Sequence, residues 1–240
     1  MMGVMQRARS CFRGVAMTLV SLAVVYLLLY GRPSALEGGL LLPYTTHASG
    51  ERTVALTFDD GPDLLYTPQV LEVLARYDVK ATFFGIGRHV DAHPELVRPL
   101  LSSGHAVGNL SYSHAILRGV WPNEIATELR LTDAALARAA GVHTRLLRHP
   151  GGMQGAFLPF MALAGDWRVV VWSVDPRDYE QPAAAEIARR VLEAVHPGAI
   201  VLLHDGSPIG GQSREQTVAA LPVILEELRQ RGYRSVLLAQ

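Results

Sequence analysis

Cysteine is almost absent from this 240-residue chain: Cys11 stands alone, so no disulfide can close within it. Net charge is absent as well. Against 22 basic residues stand 22 acidic ones, which removes the electrostatic case for a nucleic-acid partner. No internal repeat recurs and no glycine-rich phosphate cradle is found, so repeat arrays and nucleotide-binding loops are set aside. Only one uncharged stretch, 14–31, is long enough to bear on a membrane. What remains is a hydrophobic fraction of 49%, enough for one large α/β domain with an ample core.

The chain divides into four parts. Residues 1–13 form a basic N-terminus carrying Arg7, Arg9 and Arg13, and 14–31 form an apolar run at the lower edge of a membrane span. Three arginines before the run and only Arg32 just after it predict an uncleaved signal anchor with the N-terminus in the cytoplasm. The domain is then membrane-anchored outside the cytoplasm, or secreted if the segment is cleaved. Residues 32–51, rich in Gly, Pro, Thr and Ser, read as a linker or early edge segment. The folded domain is expected over 52–240.

Within it short apolar runs alternate with amphipathic stretches. Strands are expected at 53–58, 81–86, 105–109, 145–148, 168–174, 199–204 and 233–238, and helices at 67–77, 94–102, 122–140, 156–165, 183–195 and 213–231. Repeated βα units imply a parallel sheet, and about seven parallel strands suit a small distorted (β/α) barrel. Gly141 and Gly232 are placed to cap the third and last helices.

The stretch Thr57-Phe58-Asp59-Asp60-Gly61-Pro62 is the centre of the reading. It puts two carboxylates at a strand end just before a Gly-Pro turn. Their mutual repulsion is costly unless a cation or a proton is shared, although an Asx turn is the plainer use of such residues. Polar clusters recur after the other strands, at 109–114, 148–152, 175–179 and 204–205. In a βα barrel that rim is the active-site face.

These clusters resemble the five motifs of the polysaccharide deacetylases, the NodB-homology domain of carbohydrate esterase family four. The resemblance implies a distorted barrel, a divalent metal, usually zinc, and hydrolysis of N- or O-acetyl groups on a glycan such as peptidoglycan, chitin or xylan. It also implies residue roles. Asp59 resembles the general base and Asp60 a metal ligand. In Gly108-Asn109-Leu110-Ser111-Tyr112-Ser113-His114, His114 matches the last imidazole ligand, while Leu110 stands where the first belongs. Arg148-His149-Pro150-Gly151-Gly152 matches the third motif: Arg148 orients the base, Pro150 lines the substrate site, and His149 is a candidate substitute ligand as well as an ordinary loop histidine. Asp178 and Tyr179 match the carboxylate that charges the catalytic histidine and the aromatic wall beside the acetyl group. His204 resembles the general acid, with Leu202 lining the acetyl pocket.

The expected partners are an acetylated polysaccharide and, through the N-terminal helix, a membrane, with the domain acting as a monomer. Leu110 keeps a second reading open, that of a glycan-binding relative without catalysis. A metal-independent amidase is disfavoured because neither Ser111 nor Ser113 has a partner that would make it a nucleophile. Met153, Phe157, Phe160 and Met161 read as packing or substrate-groove residues.

Overall fold

Strand alternation decides which side chains reach the functional face. The computed structural model describes residues 44–45, 48, 51–117, 119–153 and 157–238. Eight strands form one parallel sheet: β1 (Tyr44–Thr45), β2 (Thr53–Asp59), β3 (Thr82–Gly85), β4 (Ala106–Asn109), β5 (Leu146–Leu147), β6 (Arg168–Val170), β7 (Ala199–His204) and β8 (Arg234–Ser235). The hydrogen-bonded order is β1-β6-β5-β4-β3-β2-β7, with β8 also on β2. The sheet curls into a half-barrel. Past β6 the chain carries a single parallel bridge, Val174 to Val201, that ties its two flanks together.

Every residue of β2 is buried, as expected of a parallel strand covered on both faces. Val54, Leu56 and Phe58 face the helical layer, where they join Val201 and Leu203 of β7. The alternate residues point into the barrel. There Ala55, Phe84, Ile86, Leu110, Leu146, Val170 and Ile200 form a packed inner core. At the carboxyl ends of the strands this inward row gives way to polar side chains. The parallel register sets Asp59 of β2 directly beside His204 of β7.

Among the described residues seven helices cover the sheet: α1 (Tyr66–Arg76), α2 (Gly87–Ala92), α3 (Val97–Ser102), α4 (Pro122–Ala140), α5 (Leu158–Ala164), α6 (Ala184–Ala194) and α7 (Glu215–Gln230). Helix α4 begins with Pro122 in its first turn, the Glu124 carboxylate accepts the Trp121 N–H at 3.2 Å, and Gly141 ends it at φ 72°. The buried residues of α7, Thr217, Ala220, Leu221, Ile224, Leu225 and Leu228, recur at helical spacing and form one stripe toward the sheet.

The expected elements are present, with local differences. The segment 32–51 contains β1, an edge strand too short to show a pattern. The strand expected over 168–174 stops at Val170, and 233–238 contracts to β8. Pro94 opens a 3-10 turn, Pro94–Leu96, ahead of α3. Helix α2 has only six residues starting at a glycine, too few for a periodic signal. The basic segment 1–13 and the apolar run 14–31 lie outside the described residues. Among the described residues no helix is long and apolar enough to cross a membrane.

The turn after β2 is fitted tightly against the turn after β7. A Cβ placed on Gly206 would lie 2.4 Å from the backbone oxygen of Asp60, a contact that only backbone movement relieves. Gly206→Ala is therefore expected to destabilise the domain by about 1–3 kcal/mol, as overpacking does. A shifted midpoint in urea unfolding checks this, and an unchanged midpoint contradicts the fit.

Candidate active site

Arg148 continues the inward row of β5 and lies wholly buried beneath the barrel mouth. Its Nη1 donates to Asp59 Oδ1 at 2.6 Å and to Thr57 Oγ1 at 2.8 Å, and the guanidinium lies 4.2 Å from the Phe84 ring centroid. Burial pushes the Asp59 carboxyl above its usual range, with Arg148 and His204 opposing and neighbouring Asp60 reinforcing that shift. A carboxylate raised in this way is a better proton acceptor than one in water.

Beside it, His204 Nδ1 donates to Asp178 Oδ1 at 2.7 Å. Asp178 is itself held by the His204 backbone N–H at 2.9 Å and by the Thr217 hydroxyl on α7 at 2.8 Å. Burial alone would lower the imidazole pKa, but Asp178, aided by Asp60 and Asp59, raises it to about 9. Burial likewise opposes ionisation of Asp178, and the contacts from His204 and Thr217 outweigh it, leaving that carboxyl below its usual range. His204 is thus a charged donor at neutral pH. The Tyr179 ring meets it edge-on at 5.5 Å.

On the other side, Asp60 adopts a left-handed backbone, φ 76°, and its carbonyl accepts a hydrogen bond from His89 Nδ1 at 2.8 Å. Asp60 Oδ1 stands 3.2 Å from His114 Nε2. The loop bearing His114 is held by Glu128 of α4, whose Oε2 accepts the N–H groups of Tyr112 and Ser113 at 2.9 and 2.8 Å. A cleft of about 380 Å³ opens over these groups, lined also by Gly151, Trp172, Asp175, Tyr179, Leu202 and Ile209.

The family profile described as Polysaccharide deacetylase matches residues 46–158. The chitooligosaccharide deacetylase of Bradyrhizobium sp. (strain ANU 289) is 41% identical over 193 residues, a match covering 77% of this chain and 88% of that protein. The chain belongs to the polysaccharide deacetylase family. Among solved structures of the family, the Bc1960 peptidoglycan N-acetylglucosamine deacetylase superposes with a TM-score of 0.80 at 33% identity, covering 86% of this chain and 94% of that one. The wild-type BA3943 protein of Bacillus anthracis, a CE4 family pseudoenzyme, superposes at 0.74 with 28% identity, covering 82% of this chain and 67% of that one. A mutant of BA3943 with restored enzymatic activity is also similar, at 0.74 and 29% identity, covering 82% of this chain and 70% of that one.

Against the motifs of this deacetylase family, the structure gathers Asp59, Asp60, His114, Tyr179, Leu202 and His204 around one cleft, with Arg148 and Asp178 directly behind. Pro150 is buried at the start of a 3-10 turn, Pro150–Gly152, that shapes the rim. His149 does not join the donors. It shares the outward parity of Leu147, opposite to Arg148, and both its ring nitrogens are buried without a hydrogen-bond partner. A catalytic zinc normally has three protein ligands and one open position. Leu110 is 1% exposed in the apolar barrel core, and among the described residues no three His, Cys, Asp or Glu side chains could hold a metal ion together. The donors present do not fit a three-ligand metal site.

Several contributors escape motif reading. Thr217 steadies Asp178, Glu128 braces the His114 loop and His89 grips the Asp60 turn. Each acts across a long sequence separation from an element whose own pattern is ordinary. Asp175 belongs to the fourth motif itself and Trp172 lies three residues before it, and both line the cleft.

The buried pair sets a pH expectation. A histidine whose folded pKa is raised to about 9 from an ordinary value near 6.5 contributes stability that is full below about 6.5 and lost as pH climbs through about 9. In Asp178→Asn the imidazole keeps its burial and loses its nearest counter-charge, while Asp60 and Asp59 remain, so its pKa should fall from about 9. NMR titration of His204 in both proteins checks this, and equal midpoints would contradict the pairing.

Proposed function

We propose that this domain is a hydrolase removing acetyl groups from an extracytoplasmic polysaccharide, tethered to the membrane by 14–31, with catalysis slowed by Leu110. The observation that carries the reading is the lateral register of Asp59 and His204, which sets a carboxylate of raised basicity beside a charged imidazole at one cleft. In amide hydrolysis a water yields its proton to Asp59 as its oxygen bonds to the acetyl carbon. The carbon–nitrogen bond then breaks and the departing amine takes a proton from His204, giving acetate and a free amino sugar. Arg148 orients Asp59, Asp178 keeps His204 protonated, and Tyr179 and Leu202 enclose the acetyl group, with Pro150 at the rim. O-acetyl esters would follow the same course with an alcohol leaving.

The family chemistry uses a divalent metal, for which zinc is the natural candidate; here Asp60 and His114 would hold it, and the second imidazole that would complete the set is missing. Leu110 offers no lone pair. This residue favours a second reading, a membrane-anchored glycan-binding protein that retains the groove without the reaction, and the likeness to the BA3943 pseudoenzyme supports the same alternative.

Leu110→His discriminates. Losing even a residue behind the ligands costs about 10- to 100-fold in metal affinity or activity, so restoring a ligand should raise acetate release by at least about that factor. Bound zinc should rise to one per chain. Chitooligosaccharide, peptidoglycan and acetylxylan serve as substrates, and Asp59→Asn or His204→Ala on the Leu110→His background should abolish the gain. Slow release by the natural sequence supports the enzyme reading. No release by the natural sequence together with restored release in Leu110→His supports the glycan-binding one. Silence from both proteins would falsify the hydrolytic mechanism.

A further inference from the structure

Two segments meet at the cleft rim and again beyond it. At the rim they meet around Gly151, a cleft-lining residue, where an added Cβ would lie 3.3 Å from Ile116 Cδ1 and 3.7 Å from Met153 Cε. Farther along both segments Trp121 and Phe157 stack, with ring centroids 6.0 Å apart and planes inclined by 22°. Each ring sits immediately before a helix, Trp121 ahead of α4 and Phe157 ahead of α5, so rigid elements fix the pair.

These side chains are open to solvent although burial was available next to them. Ile125 and Leu129 of α4 and Leu158 of α5 turn into an apolar cluster, whereas Trp121 is 67% exposed and Phe157 39%. Phe160, one helical turn beyond Phe157, is 59% exposed, and Ile116 and Met153, beside Gly151 at the rim, are exposed as well. An exposed apolar strip such as Trp121, Phe157 and Phe160 form marks a binding site, and stacked rings present a flat π face suited to C–H groups. A pyranose ring carries such a row of C–H groups on one face. Because the two rings sit on the same segments that meet at the cleft rim, we propose that Trp121 and Phe157 form a platform for a neutral sugar ring of the substrate chain, apart from the sugar whose acetyl group enters the cleft. The proposal rests on the glycan reading above and adds that the chain must be long enough to span both places.

Titration calorimetry of the full chain in detergent with N-acetylglucosamine disaccharide and hexasaccharide tests it. Trp121→Ala should weaken hexasaccharide binding roughly tenfold and leave the disaccharide unchanged. Trp121→Phe, which keeps an aromatic face, should retain most of the affinity and controls for folding. Unchanged hexasaccharide affinity in Trp121→Ala, or an equal loss for both sugars, overturns the platform and leaves the glycan reading standing. If the natural sequence binds neither sugar, both readings fall. Light scattering covers the competing occupant: a dimer that Trp121→Ala dissolves, with hexasaccharide affinity unchanged, assigns the strip to a second copy and overturns the proposal.

Discussion

A fully buried guanidinium bonded to a nearly buried carboxylate is the constraint on which the upper barrel depends. Arg148 comes from the end of β5 and Asp59 from the end of β2, so their bond crosses the barrel mouth and joins strands that are not neighbours in the sheet. A buried pair of this kind gains little over a well-packed apolar substitute. Removing one partner is far worse, because it strands a charge, at about 3–5 kcal/mol. Thr57 and the faces of Phe84 and Trp172 complete the enclosure. The arrangement favours one orientation of Asp59, which is what a proton acceptor at a fixed point requires.

The rim then separates into halves of different completeness. In the acid–base half, each of Asp59 and His204 is backed by a charged partner with further hydrogen bonds behind it. In the half that the family uses for its metal, Asp60 and His114 face each other at 3.2 Å while the position between them in the motif is filled by the barrel core. On the proposed reading, proton transfer is provisioned while the family's ligand set lacks a member at Leu110. That difference would slow hydrolysis, because stabilising the developing oxyanion is usually the larger contribution.

Much of this was legible in the residues because the signals were local. The run from Thr53 to Asp59 was read to within one residue of β2, and Pro122 with Gly141 bounded α4 as expected. Motif order also brought Asp59, Arg148, Asp178 and His204 together, since each follows an apolar strand. The misses share one cause. The contact from Thr217 to Asp178, the brace from Glu128 and the outward turn of His149 depend on parity and distance in three dimensions. Elements such as β1 and α2 span fewer than two periods of the patterns that would reveal them.

Leu110 also changes the thermodynamic character of the domain. It fills the inner core beside Ile86, Leu146 and Val170, where an imidazole without a metal would be a buried polar group lacking partners. A histidine there ties folding to metal supply, since a cofactor that binds only the native state stabilises it by mass action. With leucine that part of the core packs without drawing on any metal. The substitution at the motif's first imidazole position thus uncouples inner-core packing from cofactor supply.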